Sequence, residues 1–288
     1  VAYRTDLALE SEQRANVSGG LAGIKKQERN YPRAGLEVTE IDVLTREAAE
    51  ALGKPVGRYI TVKCTRGRLS DCVCDTAEQT ECLAAELSRL VKLPRRILAA
   101  GLGSTAITPD SLGPAAASGI IATRHLKRLA KDLDTSELSE VSVISAGVMA
   151  QTGIESAAVV KALCDEVRPE LVIVIDALAC SELEHLGSTV QLCNTGISPG
   201  SGVGNARAEL SEATLGVPVC AVGIPTVTDC SVIAEAAGGK SLPEHLGMIV
   251  TPKDIDLLIK RSASLLSAGI NRALHPTLSP EELAILSE

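Results

Sequence analysis

The chain has 288 residues, a formal charge of −8, 45% hydrophobic residues, no Phe, no Trp and three Tyr. An acidic surface lacks the positive field that holds a phosphate backbone, and three rings offer little for bases to stack on, which argues against nucleic-acid binding. No apolar run approaches the roughly 18 residues of a membrane-spanning helix, and no stretch reads as a signal peptide.

The core must be packed from Leu, Ile, Val and Ala. The nine Cys form no regular framework; Cys72 and Cys74 do not have zinc-pair spacing, and no partner pair follows. They read as reduced, mostly buried thiols of a cytoplasmic protein. The chain lacks an initiating Met and so reads as cut, processed or trimmed.

Residues 1–36 are polar and glycine-containing and read as an extended N-terminal arm, with a single α/β domain over 37–288. EVTEIDVL (37–44) and GRYITVKC (57–64) alternate as strands do. From Thr76 to Val91, Leu83, Ala84, Leu87 and Leu90 recur at helical spacing, and Pro94 stops the helix. RRILAAGLG (95–103) is the next strand, followed by a helix predicted over 114–131. VSVISAG (141–147) is a strand, and 153–167 a helix with Ile154, Ala158, Val159 and Leu163 in phase. ELVIVIDAL (170–178) is a continuous apolar run of the kind buried on both faces of a sheet. STVQLCNT (188–195) alternates, and VPVCAVGIPT (217–226) is a second buried strand. A long helix is predicted over 251–274, with Thr251 as N-cap and Pro252 in the first turn. Ser279 and Glu282 stand at capping-box spacing. Strands alternating with helices predict an α/β fold, a mostly parallel sheet with helices on both faces.

In open α/β sheets, functional groups gather at the carboxyl ends of the strands. Two carboxylates are expected there: Asp110, just past ILAAGLG, and Asp176, inside VIVIDAL. A carboxylate among apolar neighbours needs a partner or a shifted pKa. If their strands are adjacent, the two would share one proton and activate a water, like charges leaving one as acid and one as base. The bland alternative has Asp110 capping a helix and Asp176 bonded to backbone amides. TGISPGSGVGNAR (195–207) follows a strand, and its glycines let backbone amides approach a ligand. It matches no phosphate-binding fingerprint and reads equally as a substrate loop or a tight turn. ISAGVMAQTGIES (144–156) is another strand–loop–helix junction at the same sheet edge. His125, His185, His245 and His275 show no ligand spacing, and neither a metal nor a cofactor is expected. Cys180 and Cys193 are candidate nucleophiles only if a His stands beside them.

Nine segments occur in an order that resembles the germination protease family of spore-forming bacteria: RTDLALE, GRYITV, GLGSTAITPDSLGP, TRHL, SAGVMAQTGIES, VIVIDALA, TGISPGSGVGNAR, TLGVPVCAVGIPTVTD and VTPKDID. The likeness runs from Tyr3 to about Leu274. It implies an endopeptidase that begins the degradation of small acid-soluble spore proteins at germination, made as a zymogen in the developing forespore and acting in the spore core. It also implies a three-layer α/β/α sandwich similar to the hydrogenase-maturation proteases. The family's two essential aspartates fall on Asp110 and Asp176, with an aspartic-type mechanism. Gly200, Ser201, Gly202 and Gly204 of the glycine loop, with Ser145 and Gly147 of SAGVM, are the candidates for holding an extended substrate strand.

RTDLALE resembles the family's propeptide junction. It also resembles the substrates' cut sites, an acidic residue before an apolar one, followed by Ala and Glu. The corresponding bond is Asp6–Leu7. Residues 1–6 then read as a propeptide remnant of an unprocessed or partly trimmed zymogen, and processing is expected to quicken as pH falls. A homo-oligomer is expected, with spore proteins as substrate and no membrane or direct nucleic-acid partner. Asn194 and Ser198 stand where members often have Asp and His, which weakens a metal-dependent reading, and the segment near 238–247 is short. Two alternatives remain: a metal-assisted peptidase with Asp110 and Asp176 as ligands, and an inactive binding protein for spore proteins or nickel-site precursors.

Overall fold

The computed structural model describes residues 4–16, 22–71, 76–126, 138–204, 207–239 and 247–286. In chain order it forms α1 (Ala8–Asn16), β1 (Ile24–Tyr31), β2 (Leu36–Val43), α2 (Arg46–Leu52), β3 (Gly57–Cys64), α3 (Thr76–Leu90) and β4 (Arg96–Leu102). A 3-10 turn over Thr108–Asp110 leads to α4 (Leu112–Ser118), β5 (Glu140–Gly147), α5 (Met149–Thr152), α6 (Ser156–Val167), β6 (Leu171–Cys180) and β7 (Thr189–Cys193). After a 3-10 turn over Ser201–Val203 come α7 (Glu212–Leu215), β8 (Val219–Asp229), α8 (Cys230–Ala236), β9 (Ile249–Val250), α9 (Ile255–Leu274) and α10 (Pro280–Leu286).

All the described strands join one sheet, in the order β1-β2-β3-β7-β8-β6-β4-β5, with β9 paired to β8. The half formed by β5, β4, β6 and β8 is parallel. From β8 outward through β7, β3, β2 and β1 every pairing is antiparallel. The sheet is therefore mixed, and its parallel half carries both aspartates.

Alternation along the strands sorts side chains between two faces. Ile97 and Ala99 of β4 join Leu171, Ile173 and Ile175 of β6 in one cluster, with Leu83 and Leu87 of α3 and Leu258, Leu266 and Ile270 of α9. Leu98, Ala100, Val172 and Val174 face the other way, onto Val160 and Cys164 of α6 and Leu215 of α7. Each such Leu, Ile or Val side chain contributes about 1.5–3 kcal/mol when fully buried. Two helical layers on one sheet give the α/β/α arrangement.

Several elements differ from the sequence expectation. Where an arm was expected, residues 8–16 form a helix, and Ile24–Tyr31 pairs with β2 from Ile24↔Val43 to Tyr31↔Leu36. This edge strand is almost entirely polar, so no apolar alternation announced it. Backbone pairing holds it, together with a buried carboxylate: Arg29 donates to Glu86 through Nε at 3.0 Å and Nη2 at 2.5 Å, and Tyr31 Oη donates at 2.6 Å.

The helix expected over 114–131 stops at Ser118. Asn271 of α9 donates to the Gly119 carbonyl at 2.9 Å and accepts from Ile121 N at 3.0 Å, which draws the chain out of the helical path. Residues 127–131 lie outside the described residues, as do Cys72, Cys74 and His245. The long helix starts at Ile255, because Thr251 Oγ1 donates to the Thr226 carbonyl at 2.8 Å instead of capping. Ser279 and Glu282 form the expected reciprocal cap, with bonds of 2.7 and 3.2 Å. The seven described cysteines are buried thiols.

Candidate active site

β4 and β6 are parallel neighbours, paired from Ile97↔Leu171 to Gly101↔Ile175. Asp176 is the next residue on β6, and Asp110 follows β4 after a short loop. Gly113 in α4 brings the two together. A side-chain carbon there would collide with the carbonyl oxygens of Leu102 and Ile175, so α4 can lie on the strand ends only with glycine at this position. From the other side, Thr226 Oγ1 of β8 donates to the Pro109 carbonyl at 2.7 Å and fixes the turn that carries Asp110.

Asp110 does not cap α4, whose flanking residue is Ser111 with no side-chain cap. Its Oδ2 accepts instead from Ser104 N at 2.8 Å. Asp176 is 5% exposed, and its Oδ1 accepts from Ala177 N at 2.9 Å. Burial pushes the Asp176 pKa well above the ordinary carboxylate value, and the charges of Asp110 and then Asp6 push it further. Burial also raises the Asp110 pKa, against the opposing bond from Ser104. Both carboxylates open on a cleft of about 510 Å³ that Asp6 and Gly200 also line. Ile107, Met149, Val203 and Ile249 expose apolar surface along it.

The segment from Arg4 to Glu10 is docked at this cleft. Asp6 N donates to the Ala179 carbonyl at 3.0 Å, Ala179 N donates back to Asp6 Oδ2 at 2.8 Å, and Ser201 Oγ donates to Asp6 Oδ1 at 2.8 Å. A Cβ at Gly202 would overlap the Asp6 carboxylate, and one at Gly204 would overlap the Arg4 guanidinium. Leu7 is fully buried against Leu178, Cys180 and Leu186. Glu10 is 1% exposed. It accepts from Ser181 N at 2.8 Å, Ser181 Oγ at 2.5 Å, Glu182 N at 3.1 Å and His185 Nδ1 at 2.7 Å. Burial would raise its pKa, but the bonds from His185, Ser181 and Thr5 hold it below the ordinary value. Lys54 Nζ reaches beneath the segment and donates to the carbonyls of Thr5 at 3.1 Å and Asp6 at 2.9 Å.

Of the residues singled out from sequence, Asp110, Asp176, Asp6 and Gly200 share the cleft, Leu7 belongs to the docked segment, and Ser201, Gly202 and Gly204 lie against that segment. Ser145 and Gly147 do not line it. Ser145 is exposed on β5, paired with Gly101, and the Gly147 carbonyl accepts from Ser156 Oγ at 2.7 Å. Their neighbours Val148, Met149 and Ala150 line the cleft instead. Sequence reasoning missed Lys54, Ser104 and the Ser181–His185 pocket. Glu10 had a signal, its place in the quoted RTDLALE. Asn194 Oδ1 accepts from Arg58 N at 2.8 Å, and Ser198 lines a smaller depression of about 210 Å³ beside the cleft. Among the described residues no three His, Cys, Asp or Glu side chains converge as a metal-ligating group. No helix among them is long and apolar enough to cross a membrane.

The model of the family described as Peptidase_A25, germination protease, matches residues 3–248. Proteins named germination protease are similar over almost the whole chain. That of Caldanaerobacter subterraneus subsp. tengcongensis is 39% identical over 97% of this chain and 96% of its own length. That of Clostridium perfringens is 35% identical over 97% of each. That of Bacillus velezensis is 40% identical over 97% of this chain and 76% of its own length. A solved structure, the [NiFe] hydrogenase maturation protease HycI from Thermococcus kodakarensis, aligns at 19% identity with a TM-score of 0.38, over 66% of this chain and 98% of its own. That likeness is too distant to bear on the site.

Proposed function

Because the chain belongs to the germination protease family, we propose that it is an aspartic-type endopeptidase of small acid-soluble spore proteins, made as a zymogen that first cuts its own Asp6–Leu7 bond. One observation carries the reading: two carboxylates with raised pKa share a cleft with a docked peptide segment.

In this reading the proton of the pair rests on Asp176, which is the more deeply buried and also faces the charges of Asp110 and Asp6. The negative charge rests on Asp110, where the Ser104 amide stabilises it. Asp110 takes a proton from water as the water oxygen bonds to the carbonyl carbon. Asp176 gives its proton to the departing amine as the C–N bond breaks. The N-terminal segment is then the first substrate, and a spore protein entering later is held by the same groups. Asp6 stands for its acidic residue, held by Ala179 N and Ser201. Leu7 stands for the apolar residue that follows, and after the cut Leu7 leaves this pocket to the substrate.

The test is cleavage of a purified small acid-soluble spore protein. The wild type should cut after an acidic residue. Asp110→Asn and Asp176→Asn should each fold and lose roughly 10²-fold or more in rate, the scale of losing a general acid or base. Near-wild-type cleavage by either variant overturns the pair.

A further inference from the structure

Lys54 stands just past α2, and its position is built. Gly53 closes the helix in the left-handed region at φ 64°, donating to the carbonyls of Ala49 and Glu50. Lys54 N then donates to the Ala49 carbonyl at 3.1 Å. The side chain runs from there under the docked segment to two consecutive carbonyls, those of Thr5 and Asp6. Among the described residues, no carboxylate oxygen stands within the 4.0 Å of an ion pair from Nζ. The ammonium is committed to backbone oxygens. One of them, that of Asp6 at 2.9 Å, belongs to the Asp6–Leu7 peptide.

We propose that Lys54 is a catalytic residue of this site, the donor that takes up the negative charge forming on the carbonyl oxygen of the bond being cut. The assignment rests on the reading that Asp6–Leu7 lies in the cleft as a substrate does. When water adds to the carbonyl carbon, the C=O electron pair moves onto oxygen and the water's proton passes to Asp110. The oxyanion forms against Nζ, which is already in place and need not reorganise. Collapse re-forms the carbonyl, breaks the C–N bond and places the Asp176 proton on the Leu7 nitrogen. Lys54 gains and loses no atom.

The charges that act on Nζ are those of Asp6 and Glu10 of the docked segment and Cys193 of β7; Lys54 shares the depression with Asp6, Cys193, Tyr59 of β3 and Glu209. Burial lowers the Lys54 pKa, and Asp6, Cys193 and Glu10 oppose it with a smaller effect. The charged donor is therefore lost at a lower pH than an exposed lysine would lose it, and activity should carry an alkaline limb below the usual lysine range.

A merely structural Lys54 would tether the segment and nothing more. The two roles separate with a free peptide of the sequence of residues 4–13, RTDLALESEQ, followed by mass spectrometry at the Asp–Leu bond, with kcat and KM resolved across pH. Lys54→Met should lower kcat by roughly 10²- to 10³-fold, as for removal of one oxyanion donor, with a smaller rise in KM from the two lost ground-state bonds and with the alkaline limb gone. Lys54→Arg, charged throughout, should keep part of the rate and move the alkaline limb upward. If Lys54→Met lowers the Tm, the limb in Lys54→Arg decides. A rise in KM at constant kcat, or an alkaline limb unmoved in Lys54→Arg, overturns the assignment. A wild-type protein that leaves the Asp–Leu bond uncut both in the free peptide and in its own chain overturns the peptidase reading itself, and this assignment with it.

Discussion

Gly202 lies in the 3-10 turn Ser201–Val203, pressed against the Asp6 carboxylate. A methyl group there would overlap both Asp6 Oδ2 and the Cβ of Ala179. Gly202 is not among the positive-φ glycines, so alanine strains no backbone and the whole cost falls on the contact. Ala179 is held within β6, so the Ser201–Val203 turn must shift away from it and Asp6 must yield. Its movement breaks the bonds from Ala179 N and Ser201 Oγ, each 2.8 Å. A hydrogen bond to a charged group contributes about 1.5–3 kcal/mol, and two that share one carboxylate together contribute roughly 3–4 kcal/mol. At about 1.4 kcal/mol per factor of ten, Gly202→Ala should lower the ratio of docked to undocked segment roughly 10²- to 10³-fold. Native-state amide exchange reads this directly. The Asp6 and Ala179 amides, bonded across this contact, should exchange faster by that factor, while amides of β4 and β8 keep their wild-type rates. Unchanged exchange at Asp6 and Ala179 refutes the cradle. Acceleration throughout the sheet refutes it too, since the cost would then fall on the whole fold.

Asp176 also predicts a pH dependence of stability. Its folded pKa lies well above the ordinary 3.8, so its contribution is complete below that value and is lost as pH rises through the raised one. Asp176→Asn should therefore melt above the wild type at pH 7, and the gap should close as pH falls toward 4; a gap constant with pH contradicts this. Glu10→Ala strands the Ser181 amide and hydroxyl, the Glu182 amide and His185 Nδ1 in a buried pocket. Removing one side of such a network costs about 3–5 kcal/mol, measurable by urea unfolding, and a loss below about 1 kcal/mol would show that the pocket does not anchor the segment.

Legibility in the sequence followed the range of the interactions. β6 was legible because Leu171 to Ile175 must be buried on both faces, and Asp176 was conspicuous against that run. Asp110 was legible from its place past β4, but its nearness to Asp176 depends on β4 and β6 being neighbours, with Gly113 admitting α4. β1 was hidden because an edge strand needs little apolar patterning when its backbone is paired and Arg29 supplies the anchor. The helix predicted over 114–131 is cut short because Asn271, far along the chain, takes over the backbone groups at Gly119 and Ile121. Spacing could not find the Glu10 pocket: His185 has no ligand spacing with any other His, and its partner lies 175 residues earlier. Lys54 likewise acquires its role from a segment that reaches it only on folding.

The central claim is that Asp110 and Asp176 cut a peptide chain held as Asp6 and Leu7 are held. The most direct measurement is the intact mass and N-terminal sequence of the purified chain during incubation at mildly acidic pH. The wild type should accumulate a chain that begins at Leu7, while Asp110→Asn and Asp176→Asn, melting cooperatively as folded proteins do, should not. An equal yield of the Leu7 terminus from the variants, or cleavage of the wild type at a different bond, would contradict the account.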